Sequence, residues 1–263
     1  MNFFAVLQTE ALKLRRSKIT WISLVFYVFF ALMAYFVLWI IKNPELARGL
    51  GLVGQKVNFV SSGLVADWRG LYTFFAELCV MGGMILYSII VIYLFGREYA
   101  EGTAKNMLAL PVRRSYFVLA KTCVGLAWYA LLTFFLLAEA LLVGAALGLG
   151  APSWELVVGE SADILVGALL VCTLQPLVAW VTVASGGYLA PFGYTIATLI
   201  VGNLMIRTDW ARWCPWSIVA LLSGLMGPRD ETVLLGSTLV LAATFVIGMG
   251  GTILRQSRAD NCQ

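Results

Sequence analysis

Charged residues punctuate this chain between long apolar stretches. Ile19 to Ile41 is 23 residues without a charge, with Trp21 and Trp39 near its ends. At helical rise these tryptophans stand roughly 27 Å apart, the separation expected of rings anchored at two membrane interfaces. Residues 71–95 form a second apolar run interrupted only by Glu77, and residues 117–143 a third, with Lys121 near its start and Glu139 near its end. Residues 164–206 then carry no charge over 43 positions. As one helix they would measure about 64 Å, twice a hydrocarbon core, so the run must fold back. Ser185-Gly186-Gly187 supplies the turn. Residues 232–254 make the last run. The pattern predicts an all-α polytopic membrane protein forming one transmembrane domain over 1–263, with six spans at about 19–41, 71–95, 117–143, 164–184, 188–206 and 232–254.

Two shorter apolar segments do not span. Residues 213–227 lack charge but are too few to cross, with Pro215 near the start and Pro228 just beyond; a re-entrant or interfacial segment is expected. In residues 1–18, Phe3, Phe4, Leu7, Ala11 and Leu14 recur at spacings of three and four before Lys13, Arg15, Arg16 and Lys18 close the segment. That is an amphipathic helix lying on the inner membrane face. It is not a cleavable leader, because the basic cluster follows the apolar residues.

Composition narrows the class further. Hydrophobic residues make up 61% of the chain and charged residues 12%, about half the charge of an average soluble domain. A soluble enzyme, a nucleic-acid binder and a disordered chain are thereby excluded. Histidine is absent, which removes imidazole bases and His-ligated metal sites, and no metal site is expected. The five cysteines show no paired spacing. Gly49, Gly51 and Gly54 match GxGxxG, but no strand precedes them, and Gln55-Lys56 follows where a phosphate-binding loop needs Lys-Ser/Thr. The chain therefore shows no ATP site.

Charge sets the orientation. With six spans both termini share a side. With that side inside, the inner segments hold eleven basic residues against Glu10, Glu98, Glu101 and Asp260, a net of +7, while the outer segments net −1. The positive-inside rule places both termini in the cytoplasm.

The inner segment 96–115 is the most informative. Arg97, Glu98 and Glu101 continue the second span into water. Gly102 can adopt a backbone turn closed to other residues. Thr103 is a natural cap for a short helix that Pro111 would stop. Met107, Leu108 and Leu110 give that helix an apolar patch. Two helical turns are unstable alone and need a surface to pack on; an ordinary solvated loop is the plain alternative.

Glu98-Tyr99-x-x-Gly102-Thr103, followed by Leu108-x-x-Pro111-Val112-x-Arg114, resembles the signature of permease subunits in the ABC type-2 transporter family. The six spans, the amphipathic first helix and the re-entrant piece resemble the same family, and the small permeases that export peptide antibiotics or protect against them are similar in size. The resemblance implies that Glu98, Tyr99, Gly102, Thr103, Met107, Leu108, Pro111 and Arg114 form a coupling element seated in a separate ATPase subunit. It implies two ATPase subunits, which hold ATP and Mg, and a second permease copy, usually as a homodimer. It implies no cofactor in this chain and residence in the bacterial cytoplasmic membrane. An amphipathic or hydrophobic substrate, a peptide antibiotic or a lipid-like drug, is the leading expectation. Polysaccharide export and gradient-driven transport stay open.

Three intramembrane polar residues are candidates for a path. Glu77 and Glu139 fall at similar depth in the outer half of adjacent spans, where a carboxylate is costly and faces the protein interior. Pairing with Arg69 or Lys42 near the headgroups is the structural alternative. Gln175 precedes Pro176 in the fourth span, and either re-satisfies the bond the proline breaks or lines a path.

Overall fold

The computed structural model describes residues 3–51, 65–103, 113–223 and 231–258. Among these no strand occurs. The helices are α1 (Phe3–Arg15), α2 (Lys18–Lys42), α3 (Pro44–Gly49), α4 (Trp68–Glu77), α5 (Gly83–Ala100), α6 (Arg114–Ala146), α7 (Trp154–Ser185), α8 (Leu189–Met205), α9 (Pro215–Leu222) and α10 (Glu231–Arg258). A π turn, Leu78–Gly82, joins α4 to α5 without a break, so Trp68–Ala100 is one long helix. Five helices have the length and composition to cross a bilayer: α2, α4–α5, α6, α7 and the Leu235–Ser257 part of α10. The apolar helix α8 is shorter. The chain is thus a multi-pass, all-α membrane protein, its outside studded with Trp21, Ile22, Val25, Phe29 and Leu32 on α2 alone. A lipid-facing surface has no water to exclude and takes such residues without cost.

The turns obey local chemistry. Ser17 precedes α2 and sends its hydroxyl to the Leu14 carbonyl at 2.6 Å. Asp67 caps α4 through the Gly70 amide at 2.7 Å, and Ser153 caps α7 through the Leu156 amide. Gly186 ends α7 at φ 65, the left-handed conformation that favours glycine, and folds the charge-free run back into α8.

Packing centres on α7, which touches α4, α5, α6, α8, α9 and α10. Its closest neighbour is α10. A side chain at Gly248 would strike the Pro176 and Leu177 backbone at 2.5 Å, and Trp180 lies over Gly251. Pro176 is therefore packed directly on a glycine face of the last helix. Thr252 donates to the Pro176 carbonyl at 3.4 Å. On the other side, α2 and α6 run parallel and in register. Trp128, midway along α6, donates to Ser23 near the start of α2 at 3.1 Å, and Lys42 at the end of α2 donates to the Leu147 carbonyl at 2.5 Å. Gly144 faces the Trp68 ring across α4 and α6, so the small-residue pair Gly144 and Gly148 serves packing within the chain at its first member.

In the segment 213–227, α9 is embedded in the bundle: Ile218 and Val219 are fully buried, and Ser217 donates to the Gly202 carbonyl of α8 at 2.8 Å. Residues 224–227 lie outside the described residues.

Candidate functional site

The residues of the segment 96–115 divide between described and undescribed positions. Met107, Leu108 and Pro111 lie outside the described residues. Glu98 and Tyr99 belong to the last turn of α5. Gly102 takes φ +67 with no atom within 4 Å of where a side chain would project, so only its backbone conformation calls for glycine there. The Thr103 hydroxyl turns back to the Glu98 carbonyl at 3.5 Å. Arg114 opens α6 and donates to the Gln256 carbonyl near the end of α10 at 2.8 Å. It ties the first residue of one helix to the last turn of another.

Glu98 is the centre of this region. It is 7% exposed and pairs with Lys121 of α6, which is 1% exposed. Lys121 also donates to the Leu94 carbonyl and lies 5.7 Å above the Phe95 ring. A second carboxylate arrives from α1: Glu10, 2% exposed, stands 3.9 Å from the Lys121 ammonium. Lys13 closes the group, 2.6 Å from Glu10 and 3.4 Å from Glu98. Burial works against the charge on Lys13, but the Glu10 and Glu98 carboxylates outweigh it and hold the ammonium above its ordinary value.

Two carboxylates and two ammonium groups thus neutralise one another, with Glu10, Glu98 and Lys121 buried and Lys13 at the solvent rim. The four residues come from three elements: Glu10 and Lys13 from the amphipathic helix, Glu98 from the end of the second span and Lys121 from the base of the third. Burying any of these charges alone would cost several kcal/mol, so the four are held as a set. The arrangement links the start of the 96–115 segment to α1 and α6 at once.

Sequence reading placed Glu98 in water and α1 flat on the membrane through Phe3, Phe4, Leu7, Ala11 and Leu14. The structure corrects the first and adds to the second a packed face on α6. Glu98 is buried because Lys121 supplies a counter-charge inside the fold. The line of α1 that packs on α6 is Val6, Glu10 and Leu14, while Phe4 and Ala11 remain exposed. Glu10 and Lys121 were missed. A signal existed: Glu10 is an acid placed between Leu7 and Leu14 at helical spacing, on the flank of the apolar stripe.

The three path candidates are not brought together. Glu77 is exposed at the end of α4, immediately before the π turn. Glu139 is buried at 7% exposure, and one carboxylate oxygen has no hydrogen-bond partner among the described residues. Among the described residues, neither pairs with Arg69 or with Lys42, whose ammonium serves the Leu147 and Gly148 carbonyls. Gln175 is buried, accepts from Ser88 at 3.2 Å and donates to the Val171 carbonyl at 3.5 Å. Its amide therefore reaches Val171 rather than the Cys172 carbonyl that Pro176 leaves free. A small cavity of about 20 Å³ beside it is lined by Lys121, Cys172 and Pro176 among others, room for about one water.

The π turn has its own support. Tyr129 of α6 is fully buried, stacks on Tyr87 at 4.4 Å and donates to the Cys79 carbonyl at 3.2 Å. Among the described residues, no group of acids and cysteines could hold a metal ion.

The chain is an all-α, multi-pass membrane protein whose buried charge gathers at the root of the 96–115 segment. Comparison with known proteins gives the family. Residues 6–202 match the family model described as ABC-2 family transporter protein. The chain is 33% identical over 181 residues to the bacitracin transport permease protein BCRB of Bacillus licheniformis, covering 68% of this chain and 85% of that one. The chain belongs to the ABC-2 family of transporter permeases.

Proposed function

We propose that the chain is the permease half of an ATP-driven exporter that moves an amphipathic peptide antibiotic of the bacitracin kind, or a lipid-like drug, out across the bacterial cytoplasmic membrane. ATP and Mg are held by two separate ATPase subunits, and two copies of this chain form the pathway. Segment 96–115, with Glu98, Tyr99, Gly102, Thr103, Met107, Leu108, Pro111 and Arg114, is the surface those ATPases move. The observation that carries this reading is the burial of Glu98 against Lys121, Lys13 and Glu10. A solvated loop has no need of it, whereas a loop that transmits force needs a root shared with the spans. The relative's printed name supports the antibiotic as cargo. The work is a population shift: the ATPases bind one arrangement of the segment better than the other and thereby select it.

The test is a pull-down from solubilised membranes, wild type beside Gly102→Pro, with ATP hydrolysis read in the eluate. Proline is locked near φ −65 and cannot adopt the +67 that Gly102 holds. An ATPase that accompanies the wild type and leaves the variant is expected, together with loss of bacitracin tolerance in cells that carry the variant. An eluate without ATPase in either case overturns the proposal and returns attention to gradient-driven transport through Glu139.

A further inference from the structure

Two surface cavities meet beside the coupling root. The first is a cleft of about 440 Å³ between α1 and the end of α5, lined by Thr9, Leu12, Lys13, Arg16, Ser17, Tyr93 and Arg97. Three of its side chains are cationic and none is acidic. The second is an apolar groove of about 530 Å³, lined by Ile19, Ile89, Ile92, Tyr93, Tyr188, Leu189 and Phe192. Tyr93 belongs to both, so the basic cleft and the apolar groove lie side by side.

The cations are not used up within the fold. Arg16 is exposed and its guanidinium meets no acceptor among the described residues. Arg97 spends its Nε on Glu101 at 3.0 Å and lies 5.8 Å from the Tyr93 ring; its terminal N–H groups meet no acceptor among the described residues. Glu10 and Glu98 are committed to Lys13 and Lys121. Counting Lys13, Arg16, Arg97 and Lys121 against Glu10, Glu98 and Glu101 leaves one positive charge at the cleft. A guanidinium offers paired N–H donors in a plane that matches a phosphate.

Position completes the argument. Lys13 and Arg16 stand just before α2, and Arg97 just after the last apolar residues of the second span. This is the depth of inner-leaflet headgroups. Ile19, Ile92, Leu189 and Phe192 lead from there towards the bilayer centre. Phospholipids are the abundant amphiphiles at that depth, and the anionic ones match a cleft with a net positive charge.

We propose that the cleft and groove together bind one anionic phospholipid of the inner leaflet, its phosphate held by Arg16 and Arg97 and an acyl chain laid along Ile19, Ile92, Leu189 and Phe192. Lys13 touches both this lipid and Glu98, so occupancy bears directly on the coupling root.

The test is lipid retention by the full chain in detergent, read by native mass spectrometry, with phosphatidylglycerol and phosphatidylcholine offered together. Phosphatidylglycerol is expected to be retained selectively, and Arg16→Ala and Arg97→Ala to weaken retention by roughly fivefold each, the worth of one basic residue near an anionic membrane surface. Arg48→Ala, on the opposite side by the charge pattern, leaves retention unchanged. Equal retention of the two lipids, or full retention by both variants, overturns the proposal. So does displacement by millimolar glycerol phosphate, which would make the cleft a site for free phosphate. A benzophenone side chain at Leu189 separates the remaining occupant: capture of lipid supports the proposal, and capture of a second copy of the chain gives the groove to a dimer contact and overturns it.

Discussion

Lys121 shows how much one side chain can organise. It enters from a helix otherwise apolar around it, and satisfies the Leu94 carbonyl, Glu98 and Glu10 from one ammonium. Removing one member of such a set leaves its partners charged and dry, which costs about 3–5 kcal/mol. Lys121→Met is therefore expected to lower unfolding stability in detergent by that amount. Glu98→Gln on top of it is expected to restore at least 1 kcal/mol, since the orphaned charge is gone. A double variant no more stable than Lys121→Met alone would mean that the two residues do not interact. At this scale the sequence was only half legible. Lys121 and Glu98 are each visible as charges at span ends, yet the distance between them depends on how two helices dock, and no local pattern records that.

Among the helices, the α7–α10 contact was hardest to foresee. Pro176 was legible as a kink, and Gln175 as the residue most able to mend it. The structure gives the role of support to another helix: Gly248 and Gly251 let α10 approach until backbones touch. Small residues at a membrane helix interface allow this because close dispersion contact replaces the hydrophobic drive that lipid removes. Gly248→Ala is expected to cost about 1–3 kcal/mol, because the added methyl meets the rigid Pro176 and Leu177 backbone. Gly250→Ala, with nothing within 4 Å of the new methyl, is expected to be neutral or to gain up to about 1 kcal/mol from helix propensity. Thermal unfolding of the two variants side by side checks the pair; equal losses would show that propensity rather than packing governs this helix. The span pattern itself was plain in the sequence because a bilayer demands length and apolarity that little else does. The helices nonetheless overrun the apolar stretches: Trp68–Ala100 and Arg114–Ala146 each reach 33 residues, since polar residues at the ends continue the helix into the interface.

For the whole molecule, charge asymmetry is the strongest argument on orientation. Seven net positive charges on one side against one net negative on the other predict both termini in the cytoplasm. Fluorescent-protein fusions at either end are expected to mature, and alkaline phosphatase fusions at the same points to stay inactive. Activity of a phosphatase at the C-terminus alone would require an odd number of crossings. The fold class was legible from hydropathy, and the family from the twenty residues around Gly102. The buried root of that segment was not, because it is assembled from three elements far apart in the chain.

The register between α2 and α6 has a consequence for how motion is transmitted. Their two ties, Trp128 to Ser23 and Lys42 to Leu147, join residues with the same sequence offset of 105. Both ties hold one register, so sliding of either helix along the other breaks both hydrogen bonds. A tilt of α6 is therefore expected to carry α2 with it. Probes placed one on each helix are expected to change their separation less than probes on helices without such ties, which makes this pair an internal ruler for the other displacements.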